Sequence, residues 1–322
     1  MEMIGSRQLK QKAQKQLSQA SYSPRRLALI HAGIALGCSL VLSIINYLLA
    51  RQVSGTGGLS GIGTRSVLQT AQSVLSLALT VGMPFWEFGF VAAAMRLARQ
   101  QPAVPGNLTW GFKRFFPLLR MSLLQTVLYV LVLLLACQVA SMLIALTPLA
   151  NDMMVQLEVL AQNPQFLESG AISDEMLLPL LQSMVPVYVA TGVVFAVIAI
   201  PLSYRLRLTR YIVLDGHSKA LVALRASRQL MRGNCMAYFK LDLSFWWYWL
   251  LQAACSLLAF GDVLLALAGV KLPISADVAT FLFYGLQMVA SIALAWRWRA
   301  PVETTYALAY DSITGKVNEE IA

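Results

Sequence analysis

The chain has 322 residues, 58% of them hydrophobic and only 12% charged, with a mean hydropathy of +0.64. A soluble domain is about 45–50% apolar and roughly 25% charged, so the composition excludes an ordinary water-soluble fold and fits a lipid-facing surface. The net charge of +10 would raise the question of nucleic acid in a soluble protein. In so apolar a chain the question is instead where the positive charges fall, and no nucleic-acid partner is expected.

Residues 1–26 are polar and basic. Within them Ser6 to Gln19 reads as a helix, with Leu9, Ala13 and Leu17 at i, i+4, i+8 and Lys10, Lys12 and Lys15 beside them. Such a stretch suits an amphipathic helix lying on anionic headgroups. The apolar run 27–50 is too long for a signal-peptide core and reads as a retained first span.

A bilayer core of roughly 30 Å takes about 20 apolar residues in a helix, because hydrocarbon offers no partner to a free backbone group. Five further stretches meet that length, at about 67–94, 121–149, 178–204, 241–260 and 278–296. The expected architecture is therefore an all-α, six-span bundle over residues 27–299, with residues 300–322 as a cytoplasmic C-terminal tail. Between the first two spans lies the glycine-rich run Gly55 to Gly63, in which Ser60 replaces the third glycine of a GxGxxG pattern. It follows a membrane span and not a strand, so it is no nucleotide site. Between spans two and three, Asn107 to Leu119 is short, aromatic and basic, and reads as interfacial. Ser218 to Arg232 reads as another interfacial helix, stopped by Gly233. Its Ala220, Leu224, Ser227 and Met231 share one face, while Arg225, Arg228 and Arg232 share another, facing phosphate together with Lys240. Asp262 to Leu272 is too short to cross and reads as a surface turn.

With the N-terminus inside, the internal segments hold 22 of the 25 Lys and Arg residues, and the external loops hold only Arg51, Arg65 and Lys271. The external stretch Ala150 to Glu175 carries acids without one Lys or Arg. The positive-inside tendency then places both termini in the cytoplasm, and the protein in a bacterial inner membrane. The two inside hairpins echo one another in basic and aromatic residues. Either a parallel duplication or the ordinary make-up of inside hairpins accounts for that.

Ionisable residues at membrane depth are the default candidates for function. Glu87 stands about 13 Å above the inner end of span two at 1.5 Å per residue, one turn past Pro84, which weakens the helix. It is either a cation or proton site or an acid paired with a basic residue such as Arg120. Asp242 is expected at headgroup level, paired with Lys240 or the arginine-rich segment. His31 and Asn46 are expected to form interhelical hydrogen bonds. Neither the lone His31 nor the scattered Cys38, Cys137, Cys235 and Cys255 has metal or disulfide spacing. No Walker A, HExxH or GxSxG pattern occurs, so neither enzyme activity nor a cofactor is expected.

The stretch Ser6-Arg7-Gln8-Leu9-Lys10, followed by Ala13 and Leu17, resembles the start of a bacterial membrane-protein family catalogued as domain of unknown function 975. So does Ala226-Ser227-Arg228-Gln229-Leu230-Met231-Arg232-Gly233-Asn234, continuing through Phe239 to Trp247. Gly111-Phe112-Lys113 and the aromatic segment Pro301 to Tyr310 are similar to the same family. The resemblance implies an architecture and no mechanism. The expected role is a non-enzymatic membrane component that organises anionic lipid or membrane-protein partners through a basic inner face. The alternative is a small-solute or lipid transporter using Glu87 beside Pro84.

Overall fold

The computed structural model describes residues 5–55, 60–148, 151, 154–155, 158, 174–216, 219–261, 265 and 276–315. The core of the glycine-rich run (56–59), the acidic stretch 159–173, His217, most of the surface turn (266–272) and the side chain of Asn46 lie outside the described residues.

The described chain is an all-α helical bundle. Five helices are long and apolar enough to cross a membrane: Pro24–Ile45, Gln72–Ala98, Phe115–Ala145, Met184–Leu214 and Val278–Ile313. They correspond to five of the six runs legible in the sequence. The remaining run, 241–260, is divided in two, Cys235–Leu243 and Trp246–Leu258. At Phe245 the backbone leaves the helical region (φ −112°, ψ 16°).

Residues Met1–Leu118 and Leu208–Ala322 form one compact unit. It begins with α1 (Ser6–Ser18), α2 (Pro24–Gly55) and α3 (Ser60–Ala98), which runs through Pro84 without interruption. A short 3-10 turn, Pro105–Thr109, and α4 (Trp110–Lys113) follow. After the second unit come α7 (Thr209–Leu214), α8 (Ala220–Leu230), α9 (Cys235–Leu243) and α10 (Trp246–Leu258). The last helix is α11 (Ala276–Leu294), which passes through a π-helical segment, Ala295–Arg299, into α12 (Ala300–Ile313).

Why α12 sits at the centre follows from its residues. It carries small side chains (Ala300, Ala307, Ala309) that let neighbouring backbones approach, and 12 of its 14 residues are buried. It packs against α1 and α3. The segment expected as a tail is thus the axis on which the basic elements assemble. Leu27, Ala28, Phe90, Ala93, Leu97, Ala103, Leu108 and Ala300 form the hydrophobic core there, with Leu17, Tyr22 and Trp86 against it. Farther along α2, Ser39 and Ser43 hydrogen-bond the Tyr284 hydroxyl of α11 at 2.8 and 3.3 Å, the kind of polar link that joins helices in hydrocarbon.

The helix α3 and the Pro105–Lys113 segment approach closely enough to require glycine on both sides. A Cβ on Gly89 would lie 1.7 Å from the carbonyl oxygen of Leu108, and one on Gly111 would lie 1.9 Å from that of Phe85.

The second unit, Leu119–Arg207, holds most of α5 (Phe115–Ala145) and α6 (Asp174–Leu206). On α5, Val132, Ala136, Ala140 and Ile144 are buried at a four-residue spacing, while Leu131, Leu134, Leu135 and Met142 are exposed. One packed stripe with apolar residues around the rest suits a helix whose solvent is lipid.

Candidate functional site

The charges on the first unit divide into a paired set and an unpaired set. The paired set centres on Arg99, at the end of α3, whose guanidinium donates to Asp311 of α12 at 2.7 Å and to Asp215, just past α7, at 2.8 Å. Burial works against its charge, but the two carboxylates more than offset that and raise its pKa above the usual arginine value. Tyr310 donates its hydroxyl to Asp215 at 3.2 Å and stacks on Tyr211 at 5.4 Å between ring centroids. One helical turn pair earlier, Glu303 lies 3.5 Å from Arg210 of α7. Asp311 and Glu303 stand eight residues apart on α12, so one face meets two arginines. Sequence reasoning missed this network. Its signal was two acids at helical spacing in an otherwise small and aromatic segment.

Glu87 is paired with Arg299 of the π segment, where the sequence had suggested a basic residue such as Arg120. Arg120 is an exposed residue of α5. The π turn (i→i+5) shifts side-chain register within a helix, a device common at functional positions. Arg299 also lies over the Phe90 ring, 5.0 Å from its centroid. His31 is fully buried, 4.0 Å from Glu87, and stacked on Trp86 with ring centroids 5.6 Å apart. Neither imidazole nitrogen makes a hydrogen bond, so the expected interhelical bond is replaced by ring packing. The link between α2 and α3 is instead the Trp86 indole N–H donating to the His31 carbonyl at 3.0 Å. The Glu87 side chain is 51% exposed, an acid held at a surface by an arginine.

Asp242 accepts a hydrogen bond from the Tyr306 hydroxyl at 2.6 Å, where Lys240 or the arginine-rich segment had been expected. Lys10 of α1 donates to the Ser244 carbonyl at 2.6 Å, and its ammonium lies 4.0 Å from the Phe245 ring centroid. Burial lowers its pKa. The break between α9 and α10 frees that carbonyl, and Lys10 takes it up.

The unpaired set is the basic face read from the sequence at Ser218 to Arg232, with Lys240. Leu224, Ser227 and Met231 are buried, whereas Arg225, Arg228, Arg232 and Lys240 are exposed. None of these four has an acidic partner among the described residues. Gly233 (φ +91°) takes the left-handed conformation that stops the helix. Among the described residues no group of three His, Cys, Asp or Glu could hold a metal ion, and the four cysteines are free.

Residues 3–316 match the family described as "Protein of unknown function (DUF975)", nearly the whole chain, and the protein belongs to that family. No curated protein and no solved structure matches it.

Proposed function

We propose that this member of the domain of unknown function 975 family is a non-enzymatic component of a bacterial cytoplasmic membrane. In this reading it organises anionic lipid, and through it partner proteins, by a basic cytoplasmic face, with both termini on that side. The observation that supports it is the separation of charges just described. The arginines that meet acids are used in folding, whereas Arg225 and Arg228 on α8, and Arg232 just past its end, are exposed while Ala223, Leu224, Ser227 and Met231 are buried. A helix held this way presents its cations to headgroup phosphates, each worth about 1 kcal/mol near an anionic leaflet. The distribution of Lys and Arg along the chain gives the orientation.

The test uses full-length protein extracted with its surrounding lipid in polymer-bounded discs. Wild-type discs should be enriched in anionic phospholipid over the bulk membrane. The charge reversal Arg225→Glu, Arg228→Glu should remove that enrichment without unfolding the protein. Unchanged lipid composition, together with unchanged behaviour in membranes depleted of anionic lipid, would sink the reading.

A further inference from the structure

A cleft of about 660 Å³ opens where α1, the start of α2, the π segment and the α9–α10 break meet. Its lining holds three cations, Lys10, Arg25 and Arg297, and no acid. Trp247 and Trp298 form an aromatic wall, edge to face at 5.0 Å, and hydroxyl groups such as that of Thr305 complete it.

Three like charges around one cavity repel each other unless an anion joins them. The rest of this unit shows what neutralisation looks like, since Arg99, Arg210 and Arg299 each face a carboxylate. Lys10 spends one of its three donors on Ser244. Arg25 and Arg297 are exposed at the cleft and have no acidic partner among the described residues. The volume lies within the range of small-molecule sites, about 300–1,000 Å³. The site also sits at a boundary. Arg25 is the second residue of the apolar helix α2, and Arg297 lies in the π segment that joins the apolar α11 to α12. Tryptophans beside cations at such a level mark the headgroup layer of a bilayer.

We propose that this cleft binds the phosphate headgroup of one anionic glycerophospholipid, with Arg25, Arg297 and Lys10 around the phosphate and Trp247 and Trp298 against its glycerol end. The site rests on the membrane placement proposed above, and not on the arginine face of α8. It is a discrete pocket for one lipid, distinct from a diffuse surface attraction.

The experiment counts lipids retained by detergent-purified full-length protein in native mass spectrometry and titrates back phosphatidylglycerol, phosphatidylcholine of the same chains, or inorganic phosphate. One phosphatidylglycerol should be retained and should rebind at least tenfold more tightly than phosphatidylcholine, with inorganic phosphate failing to displace it. One cation near an anionic group is worth about fivefold, so Arg25→Gln, Arg297→Gln should weaken binding roughly 25-fold. Arg25→Lys, Arg297→Lys should keep most of the affinity, and Arg225→Glu, Arg228→Glu should leave it intact even where it abolishes bulk enrichment. If the glutamine variant does not fold, Ser23→Trp fills the rim without removing charge and must block binding. Equal affinity for the two lipids, displacement by phosphate alone, or wild-type binding by the glutamine or tryptophan variant would overturn the proposal.

Discussion

The close approach of α3 to the Pro105–Lys113 segment yields a contrast between two alanine substitutions on one helix. Gly82 and Gly89 are two turns apart on the same side of α3. A Cβ on Gly82 meets nothing within 4 Å, whereas one on Gly89 would lie 1.7 Å from the Leu108 carbonyl oxygen and 2.6 Å from its carbon. Ordinary contact begins near 3.4 Å, so the two backbones would have to part by about 1.7 Å, since packed interiors have no slack to absorb the methyl. Overpacking costs typically about 1–3 kcal/mol, and with backbone as the obstructing wall Gly89→Ala should lie at the upper end, about 3 kcal/mol. Gly82→Ala lacks the clash and gains helix propensity, about 1 kcal/mol in the stabilising direction. At roughly 2–4 °C per kcal/mol, the range for domains of about 150–250 residues, within which the first unit falls, the two unfolding midpoints in detergent should separate by roughly 8–16 °C, with opposite signs relative to wild type. Gly111→Ala, which would press on the Phe85 carbonyl at 1.9 Å, should behave like Gly89→Ala. Equal shifts for Gly82→Ala and Gly89→Ala would refute the close-approach argument.

Two further substitution series separate structural charge from the rest. Arg99→Ala removes the cation shared by Asp311 and Asp215, both largely buried, and should cost about 3 kcal/mol, the usual penalty for removing one half of a buried pair. Adding Asp311→Asn to Arg99→Ala should recover part of that loss, and a thermal-melt cycle that shows no coupling would count against the network. Glu87→Gln should change stability by less than about 1 kcal/mol, because the acid is half exposed. By contrast Arg299→Ala also removes the packing on Phe90 and should be the more damaging of the two by the same melt.

Elements whose signal is local were legible in the sequence. The apolar runs are long enough to be read one at a time, and α8 was marked by its own periodicity and by Gly233 as a stop, ending at Leu230 where Arg232 had been expected. The run 241–260 reads as continuous because hydropathy does not register a break. The turn at Ser244–Phe245 depends on Lys10, which is 234 residues away and takes the freed carbonyl. For the same reason α12 was misjudged. Thr304, Thr305, Asp311 and Ser312 look like residues of a solvated tail, yet they are buried, because Arg99 and Arg210 arrive from other elements to meet the acids of that helix. Partner choice was illegible throughout. Glu87 was near enough to several basic residues in a simple span model, and only the π segment brings Arg299 to it.

A count of Lys and Arg therefore supports the proposed orientation but overstates the free basic surface. Arg99 is neutralised by Asp215 and Asp311, and Arg210 by Glu303. Arg96 and Lys113 lie over Trp110, at 5.3 and 5.6 Å from its ring centroid, and Lys10 and Arg25 lie over Phe245 and Trp296 at 4.0 and 5.7 Å, contacts that leave a cation able to meet an anion as well. Among the cations with no acidic partner among the described residues, two arrangements stand out. On α8 the cations are strung along a convex helix face and would meet several headgroups weakly. In the cleft, Lys10, Arg25 and Arg297 surround one concavity, so a single phosphate there would be shared among them. The first arrangement suits crowding of anionic lipid and the second suits retention of one molecule. A protein with both would hold its basic end at the leaflet through many exchanging contacts and one lasting one.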